Sequence, residues 1–458
     1  MHDNTDDASG APGSLMPRPG QAFAPSAWRG LSNPWFALII LTLCYALAFT
    51  DRQILNLMVD PMKRDFGVSD KQIGFLLGPA FTITYVSLGL FAGYCADRMN
   101  RRNILITAGC IWSLATLAAS MAVDYQSMVI TRLTVGAAEA FLFPSGMSLV
   151  AELFDRRRLP TATTIFLTAP YIGGGFALIA GGLVLGQTAG MAPITLPFGI
   201  MRDWQVAIAL VGALGGISIL LLALIAEPER GGQAQSADDM RKFSFWEGTR
   251  YIFSRWRFFI MFFMGISLVT VLLNAVPAWA PTMFTRQYGM DPQSVGVIYG
   301  LLILCVGIIA GLSSPLVNKL LATRYADSTM RTVLAGPLIL LVLGAMLIMT
   351  ESPGLAILCV AFITFAYVLP LPMAGVSLQL ATPPRLRGLS AAYYFVITSA
   401  IAAGLGPMMV PLTADYVLHD ENNLNTAIGI VILACAAFAL LFLRVALSSF
   451  RQATAQDT

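Results

Sequence analysis

Four ionisable side chains stand in stretches that are otherwise almost wholly apolar. Asp51 and Arg52 interrupt LTLCYALAFTDRQILNLMV, and Arg132 and Glu139 interrupt ITRLTVGAAEAFLF. A guanidinium is a permanently charged fork that fits a carboxylate or a phosphate, and a carboxylate in apolar surroundings can take up and release a proton. Together these groups can hold an anion and tie its binding to a proton. Arg132 and Glu139 are seven residues apart, which on a helix places them on one face. The alternative is an ion-pair cluster that only holds helices together, and Arg132 fits that reading.

The elements that must position these residues belong in a bilayer. Hydrophobic residues fill 57% of the 458 positions and charged residues 12%, with a mean hydropathy of +0.72, whereas soluble domains carry roughly 25% charge. A spanning helix needs roughly 20 mostly apolar residues. Such runs recur at 35–60, 71–95, 104–123, 127–150, 161–186, 204–226, 256–281, 293–317, 332–350, 355–380, 388–413 and 425–447, so the sequence predicts twelve membrane helices. At 1.5 Å per residue, Asp51 and Arg52 then lie about 12–14 Å from the outer end of the first span. A charge at the bilayer centre costs at least roughly 2.5–3.5 kcal/mol on insertion scales, so the four are expected to be paired or to face water.

Residues 1–33, rich in Asp, Pro, Gly, Ala and Ser, read as a disordered tail without the apolar core of a signal peptide, and 448–458 as a second short tail. The longest polar break, 227–255, separates two six-helix bundles, 34–226 and 256–447. Lys and Arg gather on the side of the termini, for example Arg98, Arg101, Arg102, Arg156, Arg241 and Arg385. The other side has only Lys63, Arg64, Lys71, Arg202 and Arg286. The positive-inside rule then makes both termini cytoplasmic in a multi-pass protein of the cell (inner) membrane. An internal repeat agrees with the halving: Gly67-Val-Ser-Asp-Lys-Gln-Ile-Gly74-Phe-Leu-Leu-Gly78 matches Gly289-Met-Asp-Pro-Gln-Ser-Val-Gly296-Val-Ile-Tyr-Gly300 at an offset of 222. Parallel repeats of this kind are the organisation of secondary transporters, whose substrate site lies at the midplane between them.

Other classes are disfavoured by what the chain lacks. The net charge of +3 is too small and too dispersed for a nucleic-acid partner. The six cysteines have no metal-ligand or disulfide spacing and read as small hydrophobes. There is no nucleotide-binding Gly-Lys-Ser/Thr loop, no nucleophile elbow and no His-rich metal site, the histidines being His2 and His419. The expectation is therefore a non-enzyme without cofactor or metal, driven by an ion gradient.

Between the second and third spans stands Gly93-Tyr-Cys-Ala-Asp97-Arg98-Met-Asn-Arg101-Arg102, which resembles the signature loop of the major facilitator superfamily, with Cys95 and Asn100 departing from it. The resemblance implies that Gly93 allows close helix approach and that Asp97 meets the N-terminal dipole of the eleventh helix near Leu386 to Ser390, worth roughly 0.3–1 kcal/mol. On the same loop, Arg98, Arg101 or Arg102 should pair with Glu152 or Asp155. The second-half counterpart, Ser314-Pro-Leu-Val-Asn318-Lys319, has no acid, so any latch there should be weaker. Pro170-Tyr-Ile-Gly173-Gly174 resembles the tail of the antiporter motif and leans toward export, although a kinked, tightly packed helix accounts for it equally. Phe49-Thr-Asp51-Arg52, Arg132-Leu-Thr-Val-Gly136-Ala-Ala-Glu139, Glu152-Leu-Phe-Asp-Arg156 and Glu227-Pro-Glu-Arg-Gly231 look like the Spinster branch.

Membership implies an all-α membrane fold of twelve helices in two pseudo-symmetric halves, with Asp51, Arg52 and Glu139 as the substrate and proton site and Arg132 and Asn274 in support. At the repeat offset Arg52 matches Asn274, Asp51 matches Leu273 and Glu139 matches Ala361. A cavity charged on one wall and apolar on the other suits an amphipathic anion. The expectation is a monomer that moves such a lipid-like solute in a proton-coupled manner, outward rather than inward, bending at positions such as Pro170, Pro370, Pro372, Pro407 and Pro411. The rivals are a proton-coupled importer of small organic anions and a non-transporting membrane receptor.

Overall fold

The structure, a computed structural model, describes residues 33–155, 157–188, 194–196, 199–228, 245–383 and 386–455. The expected N-terminal tail up to residue 32, the linker residues 229–244, the last three residues of the C-terminal tail, Arg156 and Arg385 lie outside the described residues.

Twelve helices among the described residues are long and apolar enough to cross a membrane. They are Pro34–Leu57, Asp70–Arg98, Arg101–Ala119, Tyr125–Leu153, Leu159–Thr188, Asp203–Ala223, Trp256–Arg286, Pro292–Ala322, Ser328–Ile348, Pro353–Leu380, Arg387–Leu418 and Leu424–Arg451. These are numbered first to twelfth below, and inner and outer denote the two ends as the Lys/Arg distribution orients them. The predicted spans match one for one. Two strands, Ile194–Leu196 and Gly199–Met201, pair antiparallel between the fifth and sixth spans, a hairpin the helical reading did not anticipate.

The interruptions have local causes. The second span breaks at Gly78, ahead of Pro79, the fifth at Leu167–Thr168, ahead of Pro170, and the tenth at Leu369, ahead of Pro370. Proline lacks the N–H that would continue the ladder. Pro407 and Pro411 instead sit inside the long helix Arg387–Thr413.

The repeat is visible as geometry. Gly67 and Gly289 both adopt φ +64, the left-handed conformation that a glycine takes without the Cβ clash. Two residues on, Ser69 and Asp291 each cap the following helix by accepting a backbone N–H, from Gln72 and Ser294. The next glycines make the contacts between halves. A Cβ on Gly74 or Gly78 would press on the backbone of the eleventh span at Pro407 and Ala403, 2.9 Å away in each case. One on Gly296 or Gly300 would press on the fifth span at Gly182 and Gly175, both 2.7 Å away. Two equivalent helix pairs thus join the halves through small residues, as backbone-to-backbone packing in membranes requires.

Candidate functional site

The four midplane charges form two ion pairs that share no partner. Arg132 donates to Asp51 Oδ2 at 2.7 Å, and Thr116 donates to Asp51 Oδ1 at 2.9 Å. Both charged side chains are almost fully buried, at 3% and 4% exposure. Asp51 is therefore enclosed by the first, third and fourth spans, with both its oxygens engaged. Arg52 turns the other way, donating from Nε to Glu139 Oε2 at 2.6 Å, with its terminal nitrogen 2.5 Å from the same oxygen. Its side chain keeps 20% of its surface accessible, whereas that of Glu139 keeps none. Glu139 Oε1 has no hydrogen-bond partner.

The sequence grouped Asp51 with Arg52 because they are adjacent, and the structure separates them. Consecutive residues on a helix point about 100° apart, so adjacency argues against a shared site. Glu139 lies about two turns beyond Arg132 in the same unbroken helix, Tyr125–Glu139, just before the fourth span breaks and resumes at Leu142.

Aromatic rings surround the accessible arginine. Its guanidinium lies 4.2 Å from the centroid of Phe81, 4.7 Å from Tyr85 and 4.8 Å from Phe49, in the range for cation–π attraction. From Phe49 the rings continue inward through Tyr45, 5.2 Å on, to Phe143 at 5.9 Å. Phe143 stacks on Phe395 of the eleventh span at 5.7 Å, joining the halves. The sequence reading missed this aromatic wall. The i, i+4 spacing of Tyr45 with Phe49 and of Phe81 with Tyr85 was its available signal. Asn274 donates to the Thr270 carbonyl of its own helix at 3.0 Å and lies under Gly406 of the eleventh span.

At the inner end, the signature loop differs in part from expectation. Glu152 stands 3.5 Å from Arg101, but the main acid of the loop is Glu227, which accepts from Arg101 Nε at 2.8 Å and from the backbone N–H groups of Arg101 and Arg102 at 3.2 and 2.8 Å. Those two N–H groups open the third span, where the helix dipole favours an anion. Arg98 is turned away from this cluster onto Tyr94, its guanidinium 4.2 Å above the ring. Arg102 donates instead to the Ala223 carbonyl. Asp97 is exposed on the last turn of the second span. The expected close approach at Gly93 is corrected, since a Cβ there would meet nothing within 4 Å. The close second-to-fourth contact is made by Gly136, whose added Cβ would collide with the Phe81 carbonyl.

A further charged cluster, at the outer end, was not anticipated. Arg286 closes on Asp70 with both terminal nitrogens, at 2.6 and 2.9 Å, and on Asp60 through Nε at 2.7 Å. Lys63 reaches Asp70 at 3.0 Å and Glu421 at 2.5 Å, and Lys71 reaches Asp415 at 3.2 Å. Burial works against the Lys63 ammonium, but the carboxylates of Glu421 and Asp70 outweigh it and hold its pKa above the usual value. Among the described residues, every ion pair that crosses between the halves belongs to this cluster. Its signal in the sequence was the charge-rich stretch after the first span, together with Arg286 as the repeat mate of Arg64 at the same 222 offset.

Twelve spans in two glycine-joined halves, with charges paired at the midplane of one half, define a polytopic membrane protein of the secondary-transporter type. The sequence pattern of the Major Facilitator Superfamily matches residues 41–407, and the chain belongs to that family. It is similar to an MFS-type efflux pump of Mycolicibacterium smegmatis, 24% identical over 86% of this chain and 87% of that one. It is also similar to Protein spinster homolog 1 of Homo sapiens, 27% identical over 61% of this chain. The chain spans 54% of that human relative and 66% of Drosophila melanogaster Protein spinster, to which it is 21% identical. Among solved structures it resembles a bacterial homologue of the human lysosomal transporter Spinster in an inward-facing, unoccupied conformation, with TM-score 0.75 and 20% identity over 92% of this chain and 97% of that one. A D-xylose–proton symporter follows at TM-score 0.68 and 16% identity, covering 89% and 97%. The chain is thus a member of the Major Facilitator Superfamily that is similar to Spinster proteins.

Proposed function

We propose that this transporter moves an amphipathic, anionic, lipid-like solute by alternating access, coupled to protons, with Arg52 as the anion contact and Glu139 as the coupling carboxylate. The observation that carries the reading is the Arg52–Glu139 pair. It joins an accessible guanidinium to a buried acid, set among Phe49, Phe81 and Tyr85 and continued by the rings of Tyr45 and Phe143. An anionic head group that engages Arg52 takes the cation away from Glu139, and a buried carboxylate without its cation favours the protonated form. Solute and proton are then linked through one guanidinium. The aromatic wall suits an apolar tail, and the second half offers Asn274 where the first has Arg52.

Asp51 and Arg132 belong to the scaffold of this site. Thr116 and the Asp51–Arg132 pair fix the first, third and fourth spans, so that Arg52 and Glu139 are held in place. The ion pairs of the outer end correspond to a state closed on that side, and their rupture to the opposite state. The chain acts as a monomer in the cell membrane with both termini cytoplasmic, and export fits the name of its mycobacterial relative better than uptake.

Proteoliposome transport of a lysophospholipid and of a sugar acid, with and without an imposed pH gradient, tests the reading. The lysophospholipid is expected to move in a gradient-dependent manner in the parent. With Glu139→Gln, which mimics the protonated acid, that dependence is expected to vanish while binding persists. Transport of the sugar acid alone would overturn the lipid reading in favour of a small-anion importer, and an unchanged gradient dependence in Glu139→Gln would remove Glu139 from the coupling.

A further inference from the structure

A ten-residue helix, Phe245–Ser254, precedes the seventh span and is separated from it by Arg255 alone. Its two faces differ sharply. On one, Gly248 and Ile252 are buried; a Cβ on Gly248 would collide with Leu389 and press on Leu386, and Thr249 Oγ1 lies 3.1 Å from the Tyr393 hydroxyl. This face grips the inner end of the eleventh span. On the other, Trp246 is 75% exposed, Phe253 56% and, at the start of the seventh span, Trp256 48%. Trp246, Arg250 and Phe253 follow at i, i+4 and i+7 and form one stripe. Just beyond the stripe, Arg255 packs on the Tyr251 ring at 4.8 Å and Arg257 on the Trp256 ring at 5.8 Å, and Arg250, Arg255 and Arg257 are all exposed. Glu247 is the one acid on this helix.

Exposed aromatic rings alternating with cations would be a poor surface in water, and they match the boundary between head groups and acyl chains. The position is fixed independently, because a helix one residue away from a membrane span has to lie at the membrane surface. Three arginines against one glutamate favour an anionic head group over a zwitterionic one. We propose that this helix binds anionic phospholipid of the adjoining leaflet through Trp246, Arg250, Phe253, Arg255 and Arg257, and that its grip on Leu386, Leu389 and Tyr393 passes the lipid charge to the eleventh span. The eleventh span also holds the cross-half contacts to Gly74 and Gly78, so a pull on its inner end acts on the joint between the halves.

The test uses the full-length protein and phosphatidylglycerol as the probe. In detergent, phosphatidylglycerol is expected to raise the thermal midpoint more than phosphatidylcholine does, and glycerol phosphate without acyl chains is expected to have no effect. In nanodiscs, spin labels at Met99→Cys and Gly388→Cys, in a cysteine-free background, are expected to report a distance distribution that shifts with phosphatidylglycerol content. Combined Arg250→Gln, Arg255→Gln and Arg257→Gln should weaken the response to the lipid by about tenfold or more. Trp246→Ala with Phe253→Ala supplies a second route, since it leaves the charges in place and should weaken both lipids' effects. Equal responses to the two lipids in the parent, or an undiminished response in the arginine variant, would overturn lipid binding at this helix. A thermal response without any change in the label distances would overturn the coupling to the eleventh span.

Discussion

The midplane and the outer end both carry clustered charge, but they are wired differently. At the midplane, Asp51 with Arg132 and Arg52 with Glu139 join spans of a single half. At the outer end, Arg286, Glu421 and Asp415 of one half meet Asp60, Asp70, Lys63 and Lys71 of the other. A rocking of one half against the other leaves midplane pairs intact and must break outer pairs. Conformation can therefore act directly on the outer cluster, whereas under the proposed function the midplane cluster answers to protons and bound anions.

The largest effect should come from the most enclosed pair. Asp51→Ala leaves Arg132 buried without a counter-charge, and losing one partner of a buried pair costs about 3–5 kcal/mol. Thermal unfolding in detergent should show a strongly destabilised or unfolded protein, and a parent-like midpoint would contradict the division drawn here. Arg52→Lys should leave folding intact, because the side chain is partly accessible and the charge persists. Losing the bidentate fork should weaken binding of an anionic lysolipid by about tenfold or more, about 1.4 kcal/mol, as read by equilibrium binding to purified protein.

At the outer end, Arg286→Gln removes the clasp on Asp70 and Asp60. Asp60 is 42% exposed, so its share is small, and the buried Asp70 keeps Lys63 at 3.0 Å, so the shift between closed and open states should be about 1 kcal/mol, roughly fivefold. A cysteine at Thr282, buried in this structure, should then react faster with a membrane-impermeant thiol reagent in a cysteine-free background. The same labelling, after correction for the pH-dependent reactivity of a free thiol, should accelerate at alkaline pH in the parent and lose that extra acceleration in Lys63→Gln. A raised Lys63 pKa means that its stabilisation is present below the ordinary lysine value and is lost as pH climbs through the raised one. The smallest change is expected from Glu152→Gln, because Arg101 keeps Glu227 at 2.8 Å; about 0–1 kcal/mol would be lost. Glu227→Gln should exceed it in the same unfolding assay, and the reverse order would return Glu152 to the centre of the loop.

How far each of these clusters could be read in advance follows from the distance over which its contacts form. Helical spans are decided within some 20 residues by apolar content, so their number and approximate bounds were legible, as was the repeat, whereas the left-handed backbone of its glycines and the caps two residues on emerged from the structure. The signature loop was legible as a motif, but its partner Glu227 was not, because it lies 126 residues beyond Arg101. Gly93 was misread as a contact because a glycine in sequence looks the same whether its missing Cβ faces a helix or open space.

By itself, the sequence determined that this chain is a twelve-span membrane protein in two related halves and that its intramembrane charges lie at the midplane of the first half. Both follow from local composition and from the cost of placing charge in hydrocarbon. Only the tertiary structure decided which charge meets which. Asp51 and Arg132 are 81 residues apart and Arg52 and Glu139 are 87 apart, and the sequence allows either carboxylate to pair with either arginine. The choice was made by the rotation of the first span, which turns Asp51 toward Thr116 and Arg52 toward Phe81 and Tyr85, a rotation set by side-chain packing among several helices and by no one of them alone.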